Sequence, residues 1–126
     1  MHTLGNNHAI ETVPDNIKQY HLPTIEMAQE YIIQHFNENI SLQQLATHCH
    51  ISAFHFSRLF RMIMKMSPHK YLLSIRLQHA KALIATSEKP VGDIVFECGF
   101  NSFEHFVTAY KQQFKLSPTQ YRSQLV

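Results

Sequence analysis

The sequence predicts an all-α fold of about seven helices, arranged as two helix-turn-helix subdomains joined by a long linker helix. Three observations predict it. From Thr24 onward, apolar residues recur at intervals of three and four, the pattern of helices that bury one face. No stretch shows the strict apolar-polar alternation of a half-buried strand. The segment from Val91 onward repeats the design of the segment before it with a period of 49 to 50 residues.

Residues 1–22 show no sustained period and carry Gly5, Pro14 and several Asn, so they read as a loose arm or linker remnant. Ile25, Ala28, Ile32 and Phe36 then mark a first amphipathic helix to about Asn37. Ser41 followed by Gln44 is a capping box, in which each side chain satisfies the other residue's backbone amide. A short second helix follows, with Leu42, Leu45, Ala46 and Cys49 on one face. Ser52 caps the third helix, in which Phe56, Leu59, Phe60 and Ile63 form the apolar stripe and Phe54, Ser57, Arg58 and Arg61 share the opposite face.

Ser67-Pro68 starts a long fourth helix, because proline at the first helical position loses no hydrogen bond. Tyr71, Leu72, Ile75, Ala80, Leu83 and Ile84 carry it to about Ala85, a length of roughly 27 Å. Lys89 and Pro90 close the connection. The resulting domains are an arm at 1–22, a first subdomain with the linker helix at 23–86, and a second subdomain at 87–126.

In the repeat, Leu45 and Ala46 correspond to Ile94 and Val95, Cys49 to Cys98, Phe56 to Phe106, Phe60 to Tyr110, and Ser67-Pro68 to Ser117-Pro118. Two units are fewer than a stacked solenoid needs, whereas a short helix, a turn and a longer helix suit a helix-turn-helix. Gly99 sits where the second unit must turn sharply, and His50 occupies that place in the first. The outward face of the sixth helix is Phe103, Glu104, Val107, Thr108 and Lys111.

Charge follows the same division. Residues 1–50 hold one basic residue, Lys18, and five acids, a net of −4; residues 51–126 hold ten basic residues and four acids, a net of +6. Any electrostatic footprint for phosphate therefore belongs to the later part. Only Cys49 and Cys98 occur, without a CxxC pair, and no apolar run is long enough to span a bilayer, which points to a reducing cytoplasm. At 126 residues the chain has no room for an enzyme domain beside a binding module.

The stretches LATHCHISAFHFSRLFR, SPHKYLLSIRLQHAKALI and IVFECGFNSFEHFVTAYKQQFKLSPTQYR together resemble the DNA-binding domain of the AraC/XylS family of bacterial regulators, over roughly residues 23–124. The resemblance implies a sequence-specific, double-stranded DNA-binding transcription regulator that is not an enzyme and takes no cofactor. It implies that recognition helices at about 52–64 and 102–114 enter adjacent major grooves, ~34 Å apart on one face of the duplex. It further implies a bacterial, nucleoid-associated protein; RNA polymerase is a candidate partner under the rival interaction reading. Many members carry a separate sensing domain, for which the first 22 residues are too short; the chain is a short stand-alone regulator or the C-terminal piece of a longer one. The pattern departs from the family at Lys65 and Lys115, where glycine is common, and at Thr108, where many members carry arginine. The sixth helix is left with Glu104 and Thr108 as its polar readers, suited to cytosine and apolar contacts.

Arg58 is the strongest base-reading candidate, since its guanidinium fork matches guanine O6 and N7; the plainer role is a phosphate contact. Phe54 packs on a thymine methyl or joins the core, and Glu104 accepts from cytosine or complements its helix dipole. Lys65, Lys70, Lys89, Lys111 and Lys115 are phosphate candidates, each also an ordinary surface lysine. Arg76 reads as a structural ion-pair partner. The two cysteines read as small buried apolar residues. Ten histidines invite a metal reading, but His48, His50 and His55 lack the i, i+4 spacing of a helical pair, so no metal site is expected. The rival functions are a helical protein-interaction module that contacts the transcription machinery and a histidine-dependent metal or enzyme site.

Overall fold

A computed structural model describes residues 14–125, and these form seven helices: α1 Asp15–His35, α2 Leu42–His48, α3 Ala53–Met64, α4 Pro68–Thr86, α5 Val91–Glu97, α6 Phe103–Phe114 and α7 Pro118–Gln124. No strand occurs among the described residues. The helices pack as two units. The first holds the described residues up to His35 and Ile40–Tyr71; the second holds Phe36–Asn39 and the described residues from Leu72.

In the first unit, Ile25, Ala28 and Ile32 of α1 are fully buried, as are Ala46, Phe56 and Phe60, with Leu45, Cys49 and Leu59 nearly so. Phe56 and Phe60 lie 5.7 Å apart, and Phe60 meets Tyr71 edge-on at 5.7 Å. Burying each such ring contributes ~1.5–3 kcal/mol. The Ser41 capping box forms as expected: the Gln44 amide donates to Ser41 Oγ at 3.0 Å and the Ser41 amide to Gln44 Oε1 at 2.8 Å. Leu42 departs from its expected place in the packed face and is 41% exposed, at the first position of α2.

The second unit is built around Leu77, Ala80, Ile84, Ile94, Val95, Cys98, Phe100, Phe106, Ala109 and Tyr110, with Phe36, Leu73, Leu83 and Tyr121 packed against them. Ser117 and Gln120 form a second capping box at α7. Ser67 caps α4 by accepting from the Lys70 amide at 3.1 Å.

One helix boundary differs from expectation. Residues 15–22 are helix, where an arm was expected, and residues 1–13 of that arm lie outside the described residues. The Pro14 carbonyl accepts from the Ile17 and Lys18 amides, both at 3.1 Å, and Asp15 in the first turn complements the helix dipole. Pro23 then sits inside α1, where it lacks a helical amide yet does not end the helix. Within α4 the units divide at Tyr71/Leu72, and Leu77, Ala80 and Ile84 belong to the second core.

Candidate nucleic-acid interface

Each unit contains the same chain reversal. At the end of α2, the Ile51 amide donates to the Ala46 carbonyl and the His50 amide to that of Thr47; at the end of α5, Phe100 donates to Val95 and Gly99 to Phe96, all at 3.1 Å. This six-to-one and five-to-two pair is the Schellman arrangement, which needs a left-handed residue at the turn. His50 fills it with φ 62° and Gly99 with φ 95°. His50 therefore adopts the conformation anticipated at Gly99. Gly99 is required for a second reason: a Cβ there would lie 2.9 Å from Arg76 Nε and from Asn37 Cα.

The helix after each turn is capped by serine. Ser52 Oγ accepts from the His55 amide at 3.1 Å, and Ser102 Oγ from the His105 amide at 3.2 Å. Both helices end on a left-handed lysine, Lys65 with φ 64° and Lys115 with φ 67°, where glycine would sit without strain.

These caps fix which side chains face outward. In α3, Phe56, Leu59 and Phe60 are buried, and Phe54, Arg58 and Arg61 are exposed. Phe54 is 72% exposed and does not join the core. The Arg58 guanidinium lies 5.6 Å from its ring centroid, a cation–π stack. In α6, Phe106, Ala109 and Tyr110 are buried, while Phe103, Glu104, Thr108 and Lys111 are exposed. Ser57 and Val107 occupy matching positions and are half-buried, Val107 against the second core. His55, weighed in the sequence only as a metal ligand, and His105, not weighed there, are exposed at equivalent places in the first turns of α3 and α6; the repeat offset relates them.

Much of the positive charge is committed within the fold. Arg76 donates from Nε to the Phe36 carbonyl at 2.7 Å and from Nη2 to the Glu38 carbonyl at 2.8 Å. Its role is structural as expected, but these partners are main-chain carbonyls; burial pulls its pKa below the usual arginine range. Arg122 grips the connection after α4 in the same manner, through the carbonyls of Ile84, Ser87 and Lys89 at 2.7–3.2 Å. Lys89, a phosphate candidate, pairs with Glu97 at 2.7 Å, and that hydrogen bond raises its pKa. Lys81 lies over the rings of Phe114 and Tyr121. Arg58, Arg61, Lys65, Lys111 and Lys115 are exposed on or at the ends of α3 and α6, and Lys70 is exposed in the first turn of α4.

Among the described residues, no three His, Cys, Asp or Glu side chains are grouped to hold a metal ion. His48 packs on Tyr31 at 4.7 Å and His79 stacks on Phe36 at 3.9 Å. Cys49 and Cys98 are buried, and burial pushes both thiols up, Cys98 to about 11. No described helix is long and apolar enough to cross a membrane.

A protein family described as a helix-turn-helix domain matches residues 45–124. The chain is 35% identical over 96 residues to a probable transcriptional regulator, LumQ, of Photobacterium leiognathi, covering 76% of this chain and 39% of the relative. It is 29% identical over 109 residues to AdaA of Bacillus subtilis, a bifunctional transcriptional activator and DNA repair enzyme, covering 86% of this chain and 52% of the relative. The chain thus spans about half or less of the length of these relatives. Among solved structures, an AraC-type regulator from Chromobacterium violaceum superposes with a TM-score of 0.79 at 28% identity, covering 86% of this chain and 96% of that one. The DNA-binding domain of AdpA, solved with a target DNA, gives 0.75 at 26% identity, covering 80% and 91%.

Proposed function

Because the chain belongs to the AraC/XylS family of helix-turn-helix DNA-binding domains, we propose that it is a sequence-specific transcription regulator whose helices α3 and α6 each enter a major groove of double-stranded DNA. The observation that carries this reading is the repeated presentation of one outward face. Two Ser-capped helices, each placed after a Schellman turn, expose Phe54, Arg58 and Arg61 in one unit and Phe103, Glu104, Thr108 and Lys111 in the other. Side chains on the first turns of such helices reach base edges, while flanking cations and backbone amides hold phosphate.

Base selection differs between the readers. Arg58 suits guanine, and the carboxylate of Glu104 suits the cytosine amino group. Ser57 and Val107 stand at the edge of each reading face. Lys65, Lys70, Lys111 and Lys115 supply phosphate contacts. The chain acts in the bacterial cytoplasm on nucleoid DNA without catalysis of its own, and RNA polymerase is its partner at promoters.

Selection of bound duplexes from a random pool tests this. The expected product is a motif of two half-sites about one helical turn apart, with affinity falling steeply as salt rises. Absence of enrichment, or a salt-independent affinity, would overturn it. A shift of DNA that requires an added partner protein would favour the helical interaction module instead.

A further inference from the structure

The packing stripe of α1 continues past the core it covers. Ile32, Ala28 and Ile25 follow one another at helical spacing and are fully buried. Continued toward the N-terminus, the same spacing reaches His21 and then Lys18, both half-buried. The stripe therefore changes from aliphatic to basic within two turns. Lys18 is the one Lys or Arg among the first fifty residues, and it falls on this face.

The place where the stripe runs out is defined by a ring contact. His21 meets His55 edge-on, with centroids 6.2 Å apart and planes at 80°. His55 is exposed and lies in the first turn of α3, its amide bound to the Ser52 cap, one residue after Phe54. When the first turn of a reading helix sits in the major groove, ~12 Å wide, the phosphates of the bordering strand lie beside that turn.

We infer that Lys18 and His21 form an additional DNA contact, with Lys18 taking a backbone phosphate on the strand that borders the groove entered by α3. The inference rests on the DNA-binding reading above. A helix start that extends beyond the core gives the first unit this added phosphate contact.

The test uses the full chain and a duplex recovered by selection. Lys18→Gln removes the charge, Lys18→Arg keeps it, and Gln19→Ala alters the exposed neighbouring residue, about 100° round the same helix. Affinity is measured between roughly 50 and 200 mM salt. Lys18→Gln is expected to lower the magnitude of the log–log salt slope by ~0.9, as the loss of one phosphate contact does, and to weaken binding at low salt. Lys18→Arg should keep both, and Gln19→Ala should change neither. Wild-type slope and affinity in Lys18→Gln would overturn the inference and leave the DNA-binding reading intact. Failure of the unaltered chain to bind any selected duplex would overturn both.

Discussion

The Arg58 guanidinium stacks on the ring of Phe54, one helical turn earlier, with its Cζ 5.6 Å from the ring centroid. The ring narrows the rotamers open to the long arginine stem, so that the fork is partly oriented before a base arrives. An exposed stack of this kind is worth ~0.5–1 kcal/mol.

Arg58→Ala should therefore weaken binding to the selected duplex by ~1–3 kcal/mol and relax preference at one base position. Phe54→Ala should weaken it by less, ~0.5–1 kcal/mol. In the double variant the losses should fall short of their sum, because both changes remove one shared contact. Strict additivity in equilibrium titrations would show that the two side chains act separately.

The left-handed positions predict changes of opposite sign. Gly99→Ala places a methyl 2.9 Å from Arg76 Nε and Asn37 Cα at a φ of 95°, and should destabilise the fold by ~2 kcal/mol or more. Lys115→Gly relieves a side chain held at φ 67° and should stabilise it by ~0.5–1 kcal/mol. Thermal melts followed by circular dichroism separate the two, and a Gly99→Ala variant that melts with the parent contradicts the close approach at that turn.

Tyr110 is fully buried, and its hydroxyl has no hydrogen-bond partner among the described residues. Burial pushes its pKa up to about 12. The equivalent position in the first unit is Phe60, which fills the same kind of core without a hydroxyl. Tyr110→Phe should raise stability by ~1 kcal/mol, since an unsatisfied buried donor carries its desolvation penalty into the folded state. A lower denaturation midpoint in the variant would show that the hydroxyl is satisfied in solution.

Alkaline pH should loosen the second unit through Cys98. Its thiol is raised from 9.0 to about 11 by burial, so the folded state keeps a proton that the unfolded state releases. Between those values the unfolded state binds fewer protons, and unfolding free energy falls as pH rises. The stabilisation is complete below pH 9 and is lost as pH climbs toward 11. The drop in melting temperature across that window should be smaller in Cys98→Ala than in the parent; equal drops would assign the effect to other groups.

Most of the fold was legible because it is written in local chemistry. Ser41 with Gln44, Ser52, Ser67 with Pro68, and Ser117 with Pro118 each mark a helix start through a hydroxyl three residues before the amide it accepts from. The buried stripes of α3 and α6 follow from spacing alone. The start of α1 was not legible, because Pro14 reads as a breaker and no sustained apolar period precedes Ile25. Nor was the partner of Arg76, since a main-chain carbonyl forty positions away leaves no residue-type signal. The candidate interface was legible as a set of outward positions. The stack of Phe54 under Arg58 was not, since it depends on which rotamer a long side chain adopts.

Serine hydroxyls on amides, arginines on carbonyls and the hydrogen bonds of the two turns all fasten the chain through its main-chain groups. The side chains at 54, 58, 61, 104, 108 and 111 contribute little to that fastening. A frame secured in this way is portable: its outward letters can be rewritten to address another operator while the helices that display them keep their places.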